Sequence, residues 1–248
     1  MPARHLNVSE ICAGFWRQND WKKTDKELHE YIEQLLELGI TTMDHAPVYQ
    51  SEEQFGRVIS QSPGLRENME IVTKWGIRPV GVPGIGADNI KHYDSSIEHL
   101  RLSLDQSLRL LKTDYIDVLL VHRPDYLMRV DAMAMVFEQL KSSGKVRAIG
   151  VSNFSPSQFD ALQAFCSFPL VTNQIEFSPL HLKPLDDGSF DLCQKYAINP
   201  MVWSCLAGGR IFQSDDKQAA RVRNVLTELA KELDVKHIDS LIYAWIMT

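Results

Sequence analysis

The chain has 248 residues, 44% of them hydrophobic and 23% charged, and a formal net charge of −6. That is enough apolar material for a sizeable core, while an acidic balance with scattered Lys and Arg argues against nucleic-acid and anionic-membrane partners. Apolar runs such as VLLV are too short to span a bilayer, and MPARHLNVSE lacks the apolar centre of a signal peptide. The four cysteines (12, 166, 193 and 205) form no C-x-x-C pair, so the expectation is reduced thiols, no metal and a cytoplasmic location.

Helices and short apolar strands alternate along the chain. ICAGFW reads as a first strand. Thr24 or Asp25 caps a helix with the stripe Tyr31, Ile32, Leu35 and Leu36, and Gly39 stops it. ITTMDHA is the second strand, followed by a short helix around 52 to 60. MEIVTKWGI is the third. A helix from near Ser95, with Glu98 completing a capping box, buries Ile97, Leu100, Leu104, Leu108 and Leu111 and turns Arg101, Asp105 and Arg109 to water. IDVLLVHRP is the fourth strand; Asp131 caps the helix behind it, which ends at Gly144. RAIGVSNF is the fifth, and Ser155 with Pro156 opens another helix. LVTNQIEF, a short helix near 190 to 197, and PMVWSCL follow. The stretch from about 217 to 247 is helical, broken near Val235 to Ile238.

These are seven βα units whose strands are too apolar to have a wet face, which predicts a parallel sheet covered by helices. A large open sheet and a (β/α)8 barrel one unit short both satisfy this pattern. With no repeat, linker or low-complexity segment, the expectation is one domain over 1–248. The Gly- and Pro-rich loop 79–89 is either a substrate loop or a plain surface connection.

The polar residues cluster where strands end. The second strand ends at Asp44, the third reaches Lys74, the fourth ends at His122, and the fifth at Ser152 and Asn153. The sixth carries Asn173 and Gln174, and the seventh ends at Trp203 and Ser204. In barrels that rim carries the chemistry, and burying Lys, His and Asp is costly unless they satisfy one another or a ligand. A Lys beside Tyr49 suggests proton transfer, with the ammonium lowering the phenol pKa; Asp44 would hold Lys74 charged, and His122 would orient a substrate oxygen. That kit suits polarising a carbonyl while a nicotinamide or flavin delivers hydride. Each residue also has a plainer reading: Lys74 as a rim ion pair, Asn153 as a helix-entry cap, Trp203 as core, and His45 and Pro47 as parts of a turn.

DHAPVY, IVTKWGI, LLVHRPD, GKVRAIGVSNF, NQIEFSP and WSCLAGG, in this order and spacing, resemble the aldo-keto reductase family along nearly the whole chain. The resemblance is greatest to bacterial predicted oxidoreductases of the family with a D-H-A start to the active-site motif. It implies an α/β (β/α)8 TIM barrel binding NADP(H), with NAD(H) left open, and reducing a small-molecule aldehyde or ketone. By resemblance, Tyr49 is the general acid, Lys74 and Asp44 tune it, and His122 orients the substrate. Ser152, Asn153 and Gln174 match groups that hold the carboxamide, and Trp203 matches the aromatic stacked on the nicotinamide. Ser204, Leu206, Gly208 and Arg210 match the stretch near the pyrophosphate, while Trp16 and Arg17 match weaker cofactor-side positions.

Two departures stand beside this pattern. Gln50 and Ser51 follow Tyr49 where relatives have Gly, so the loop reads as short. The chain stops at AWIMT, before an eighth βα unit and the segment that grips the adenosine phosphate. The alternatives are a non-catalytic nicotinamide-nucleotide-binding subunit or degenerate member, and an aldolase using Lys74 as a Schiff base. Sequence does not set the oligomeric state.

Overall fold

The computed structural model describes residues 8–62, 64–87 and 89–248. The N-terminal residues read for a leader, and Asp88 of the Gly/Pro-rich loop, therefore lie outside the described residues. Two compact units are formed, divided after Thr172, and each is described by itself.

In the first unit β1 (Cys12–Gly14) leads to α1 (Asp25–Glu37), whose Thr24 cap and Glu27 make a reciprocal capping box. β2 (Thr42–Asp44) is followed by a single 3₁₀ turn, Pro47–Tyr49, and α2 (Glu52–Ile59). β3 (Glu70–Trp75) stops where Gly76 takes a φ of 101°. The chain then forms an antiparallel pair, β4 (Ile77–Arg78) with β5 (His92–Tyr93), which brackets the Gly/Pro-rich loop. Next come α3 (Ile97–Leu111), β6 (Ile116–Val121), α4 (Val130–Ser142), β7 (Val146–Ser152) and α5 (Pro156–Gln163). The strands run parallel in the order β1-β2-β3-β6-β7. All of β6 is buried, as a strand covered on both faces requires.

Two predicted caps differ. α3 is capped by Ser96, whose hydroxyl accepts from His99 N at 3.2 Å. Ser95 N donates to Asp125 and Ser96 N to Asp94, so the helix starts one residue later and Glu98 misses the capping-box position. At α4 the cap position is Arg129, with Asp131 two residues on, inside the first turn, and held by the Arg129 guanidinium at 2.6 and 3.0 Å.

α2 and α3 touch through Gly56. A Cβ there would overlap the Leu110 carbonyl oxygen and lie 2.6 Å from Leu111 Cα. At the start of β6, buried Asp117 accepts from Arg66 and Arg147 at 2.7 Å each and from Ile71 N at 2.9 Å. Both guanidinium groups also lie against the Tyr115 ring, at 4.0 and 3.8 Å from its centroid.

In the second unit β8 (Asn173–Glu176) pairs in parallel with β9 (Met201–Trp203), with α6 (Ser189–Tyr196) between them. α7 (Arg210–Gln213), α8 (Lys217–Glu232) and α9 (Ile238–Ile246) follow, and the predicted break separates the last two. Phe177 packs edge-on against Phe190 and stacks on Trp245 at 5.0 Å. Among the described residues no helix is long and apolar enough to cross a membrane.

Candidate active site

The parallel register carries Asp44, Lys74 and His122 to the same ends of β2, β3 and β6. Lys74 has a fully buried side chain, and its Nζ donates to Asp44 Oδ1 and to the His45 carbonyl, both at 2.7 Å. Burial opposes the ammonium, but the Asp44 carboxylate, with Tyr49, holds the Lys74 pKa above its ordinary value. The cation therefore persists at neutral pH in a place where an unpaired one would be expelled.

Tyr49 sits at the end of the 3₁₀ turn that Pro47 begins. Its backbone N donates to Ala46 O at 2.9 Å, and Asn19 Nδ2 donates to its carbonyl at 3.2 Å. Gln50 takes a φ of 54°, the left-handed turn for which the sequence pattern expects Gly. The chain thereby turns into α2 while the phenol faces inward. Lys74 Nζ lies 4.9 Å from the Tyr49 ring centroid, and the His122 ring meets that ring edge-on at 5.7 Å. Tyr49 lies between the ammonium and the imidazole.

The sequence argument expects Lys74 to lower the Tyr49 pKa, and the balance goes the other way. Burial pushes the phenol up, Asp44 adds to this, and Lys74 and Arg123 only partly offset it. Tyr49 is thus protonated across the neutral range, in the state a proton donor needs. His122 is pulled well below the ordinary histidine range by burial, then by Lys74, Arg123 and Lys91, so it is a neutral imidazole.

Ser152 and Asn153 close the far side of this unit's rim. Asn153 adopts a left-handed φ of 61° and donates to Ser152 Oγ at 2.7 Å and His122 O at 3.2 Å. Trp16 is 57% exposed, with its ring 6.4 Å from that of Tyr49 and the Arg17 guanidinium 5.3 Å above it. The first unit therefore brings together Asp44, Tyr49, Lys74, His122, Trp16, Arg17, Ser152 and Asn153.

Gln174, Trp203, Ser204, Leu206, Gly208 and Arg210 belong to the second unit. Gln174 is buried on β8 and Trp203 ends β9. Ser204, Ala207, Gly208 and Gly209 all take positive φ, giving a tightly coiled stretch. Arg210 pairs with Asp216 at 3.1 Å.

The donor set fits a nicotinamide cofactor: a protonated phenol, a fixed ammonium and a neutral imidazole converge, and none of them can supply hydride. In the first unit Ser152 and Asn153 carry amide-recognising groups; in the second, taken by itself, Gln174 carries an amide, Trp203 a flat aromatic face, and Gly208 and Gly209 bring no Cβ to the backbone.

Sequence reasoning reads His45 as part of a turn. It is fully buried, stacked on Phe15 at 4.4 Å and against Phe55 at 4.3 Å, and its Nδ1 meets Ser51 Oγ at 3.0 Å. Burial, then Lys74, keeps it neutral. Sequence reasoning also misses Glu52 and Thr73, whose hydroxyl donates to Glu52 Oε1 at 2.6 Å inside the protein. An acid in the first turn of a helix reads as a surface residue, and only the tertiary contact shows otherwise.

Residues 10–248 match the model of the aldo/keto reductase family. The oxidoreductase YcsN of Bacillus subtilis, itself uncharacterized, is 45% identical across 99% of this chain and 83% of its own length. Oxidoreductase YdhF of Escherichia coli is 44% identical across 96% of this chain and 80% of its own. The solved structure of glycerol dehydrogenase AKR11B4 from Gluconobacter oxydans superposes with a TM-score of 0.80 at 26% identity, covering 97% of this chain and 79% of its own. The chain belongs to the aldo/keto reductase family and is an oxidoreductase with that family's α/β TIM-barrel fold.

Proposed function

We propose that this chain reduces aldehydes or ketones to alcohols with NADP(H), and that Tyr49 is the proton donor. One observation carries the reading: a protonated phenol held between a buried, Asp44-paired Lys74 and a neutral His122. When bound, the reduced nicotinamide supplies the hydride. The chain's own residues do the rest. His122 donates an N–H to the carbonyl oxygen and fixes its direction. Tyr49 passes its hydroxyl proton to that oxygen as negative charge develops on it. Lys74 stabilises the phenolate left behind, and Asp44 keeps Lys74 charged and aimed. By the family resemblance, Ser152 and Asn153 of the first unit and Gln174 of the second would hold the carboxamide, Trp203 would stack on the ring, Ser204, Leu206, Gly208 and Arg210 would receive the pyrophosphate, and Trp16 and Arg17 would be further cofactor-side residues.

The test is NADPH binding by tryptophan quenching, together with NADPH consumption over a panel of aldehydes and ketones. Tyr49→Phe is expected to keep cofactor binding and to lower kcat by about 10²- to 10⁴-fold, the usual contribution of a positioned acid. Absence of NADPH binding, or full turnover by Tyr49→Phe, would overturn the proposal. Binding without any turnover identifies a nucleotide-binding subunit instead.

A further inference from the structure

Glu52 is 1% exposed, makes no ion pair among the described residues, and is used by no step above. It is the first residue of α2, directly after the loop that carries Tyr49. Its Oε1 accepts from Thr73 Oγ1 at 2.6 Å, while its buried Oε2 makes no close hydrogen bond and the Ser107 hydroxyl acts on the carboxyl only from longer range. Thr73 precedes Lys74 on β3, and alternation along a strand sends the two side chains to opposite faces. Lys74 therefore holds the front of the loop, through the His45 carbonyl at 2.7 Å, while Thr73 holds its back, through Glu52. Between these two pegs lies Pro47–Tyr49, a single turn of 3₁₀ helix. A buried carboxyl in contact with no cation is expensive, so its presence here requires a task.

We propose that Glu52 is a positioning residue for the proton donor: through Thr73 it fixes the start of α2, and so the direction of the Tyr49 phenol, to the strand residue adjoining Lys74. This rests on the reading of Tyr49 given above. The groups acting on Glu52 are the hydroxyls of Thr73 on β3 and Ser107 on α3 and the Lys74 ammonium; Arg57, on its own helix, is turned to Asp25 at 2.6 Å. Burial pushes the Glu52 carboxyl up to about 7 against those influences. Below that pH it is a neutral acid. Above it the bond from Thr73 is charge-assisted and about twice as strong, so the peg tightens as pH rises through neutrality.

The experiment compares Glu52→Gln, Glu52→Ala, Thr73→Val and the Glu52→Ala/Thr73→Val pair in the full chain, by kcat, KM, NADPH affinity and thermal midpoint over pH. Glu52→Ala and Thr73→Val are each expected to lower kcat about tenfold with NADPH affinity held, the scale of a misplaced acid. The double variant is expected to be no worse than Glu52→Ala, because both remove one peg. Glu52→Gln keeps an acceptor for Thr73, so its kcat is expected within about threefold of the unaltered chain, and its kcat/KM loses the rise near pH 7. Variants that lower only the thermal midpoint, additive losses in the pair, or a rise near pH 7 that survives Glu52→Gln would overturn it. An unaltered chain that binds NADPH but turns nothing over defeats the reading of Tyr49 itself, and the inference with it; the other adverse outcomes arise in an active enzyme.

Discussion

Asp44→Asn removes one charge from a pair whose other member, Lys74, has no exposed side-chain surface. The lysine is then left with burial pulling its pKa down and without the carboxylate that held it up. Two outcomes are open to the folded variant. It keeps an unpaired ammonium inside, or it releases the proton, which at pH 7 costs about 4–5 kcal/mol for a group of ordinary lysine pKa at about 1.4 kcal/mol per unit. Breaking a buried pair from one side costs roughly 3–5 kcal/mol. The 14% exposure of the Asp44 side chain and the surviving bond to the His45 carbonyl favour the lower end, about 3 kcal/mol.

The pH dependence has a definite sign. In the unaltered chain the folded Lys74 pKa is raised, so its contribution is fully present below the ordinary lysine pKa and is lost as pH rises through the folded value. In Asp44→Asn the folded pKa falls below the unfolded one. The deficit then shrinks as pH rises from 7 to about 9.5, by at most about 1.4 kcal/mol per unit. Urea unfolding at these two pH values measures both quantities. Asp44→Asn/Lys74→Met, which has no charge left to desolvate, is expected to be more stable than Asp44→Asn alone. A loss below about 1 kcal/mol that does not change with pH would refute the account of Lys74 as a cation held in place by Asp44.

Two further outcomes follow from the same geometry. Because the Tyr49 pKa is raised and that of His122 lies well below the histidine range, kcat/KM for reduction by Glu52→Gln, which lacks the rise assigned to Glu52, should show no histidine-like loss of activity between about pH 6 and 7 and should fall only in the alkaline range, where the phenol loses its proton; a drop in that variant centred near about 6.5 would show that His122 titrates normally. Gly56→Ala forces apart the α2–α3 contact at Leu110 and Leu111, where the nearest atoms are backbone and cannot swing aside. It should cost at least about 1–3 kcal/mol by overpacking, read as a lower thermal midpoint, and an unchanged midpoint would show that the two helices can part freely.

Local rules made much of the fold legible. Thr24 with Glu27, and Ser155 with Pro156 and Gln158, are caps whose partners lie within three residues, and they stand where the sequence puts them. The polar residues at the strand ends were visible because Asp, Lys and His are out of place after runs such as VLLV. Where distant backbone intervenes, the reading slips. Asp94 and Asp125 take the amides ahead of α3 and shift its cap from Ser95 to Ser96. The sequence offers only Lys74 to set the acidity of Tyr49, whereas desolvation, which no pairwise motif encodes, is the larger influence. Gln50 is hidden from sequence rules. Its left-handed backbone does the work expected of Gly, and a side-chain alphabet does not announce that conformation. Glu52 and Thr73 meet across 21 positions, with nothing local to mark either.

β6 carries charge chemistry at both ends, and the two ends are built oppositely. Asp117, near its start, is saturated by two guanidinium groups and an amide. His122, just beyond its end, is a neutral ring set against Tyr49. About 17 Å of buried strand separates them. Sequence change at the His122 end can therefore retune what the pocket accepts while the Asp117 clamp keeps β3, β6 and β7 in register. An engineer grafting new loops onto this chain has a natural division of labour to respect: vary the exits of the strands, and leave their entrances alone.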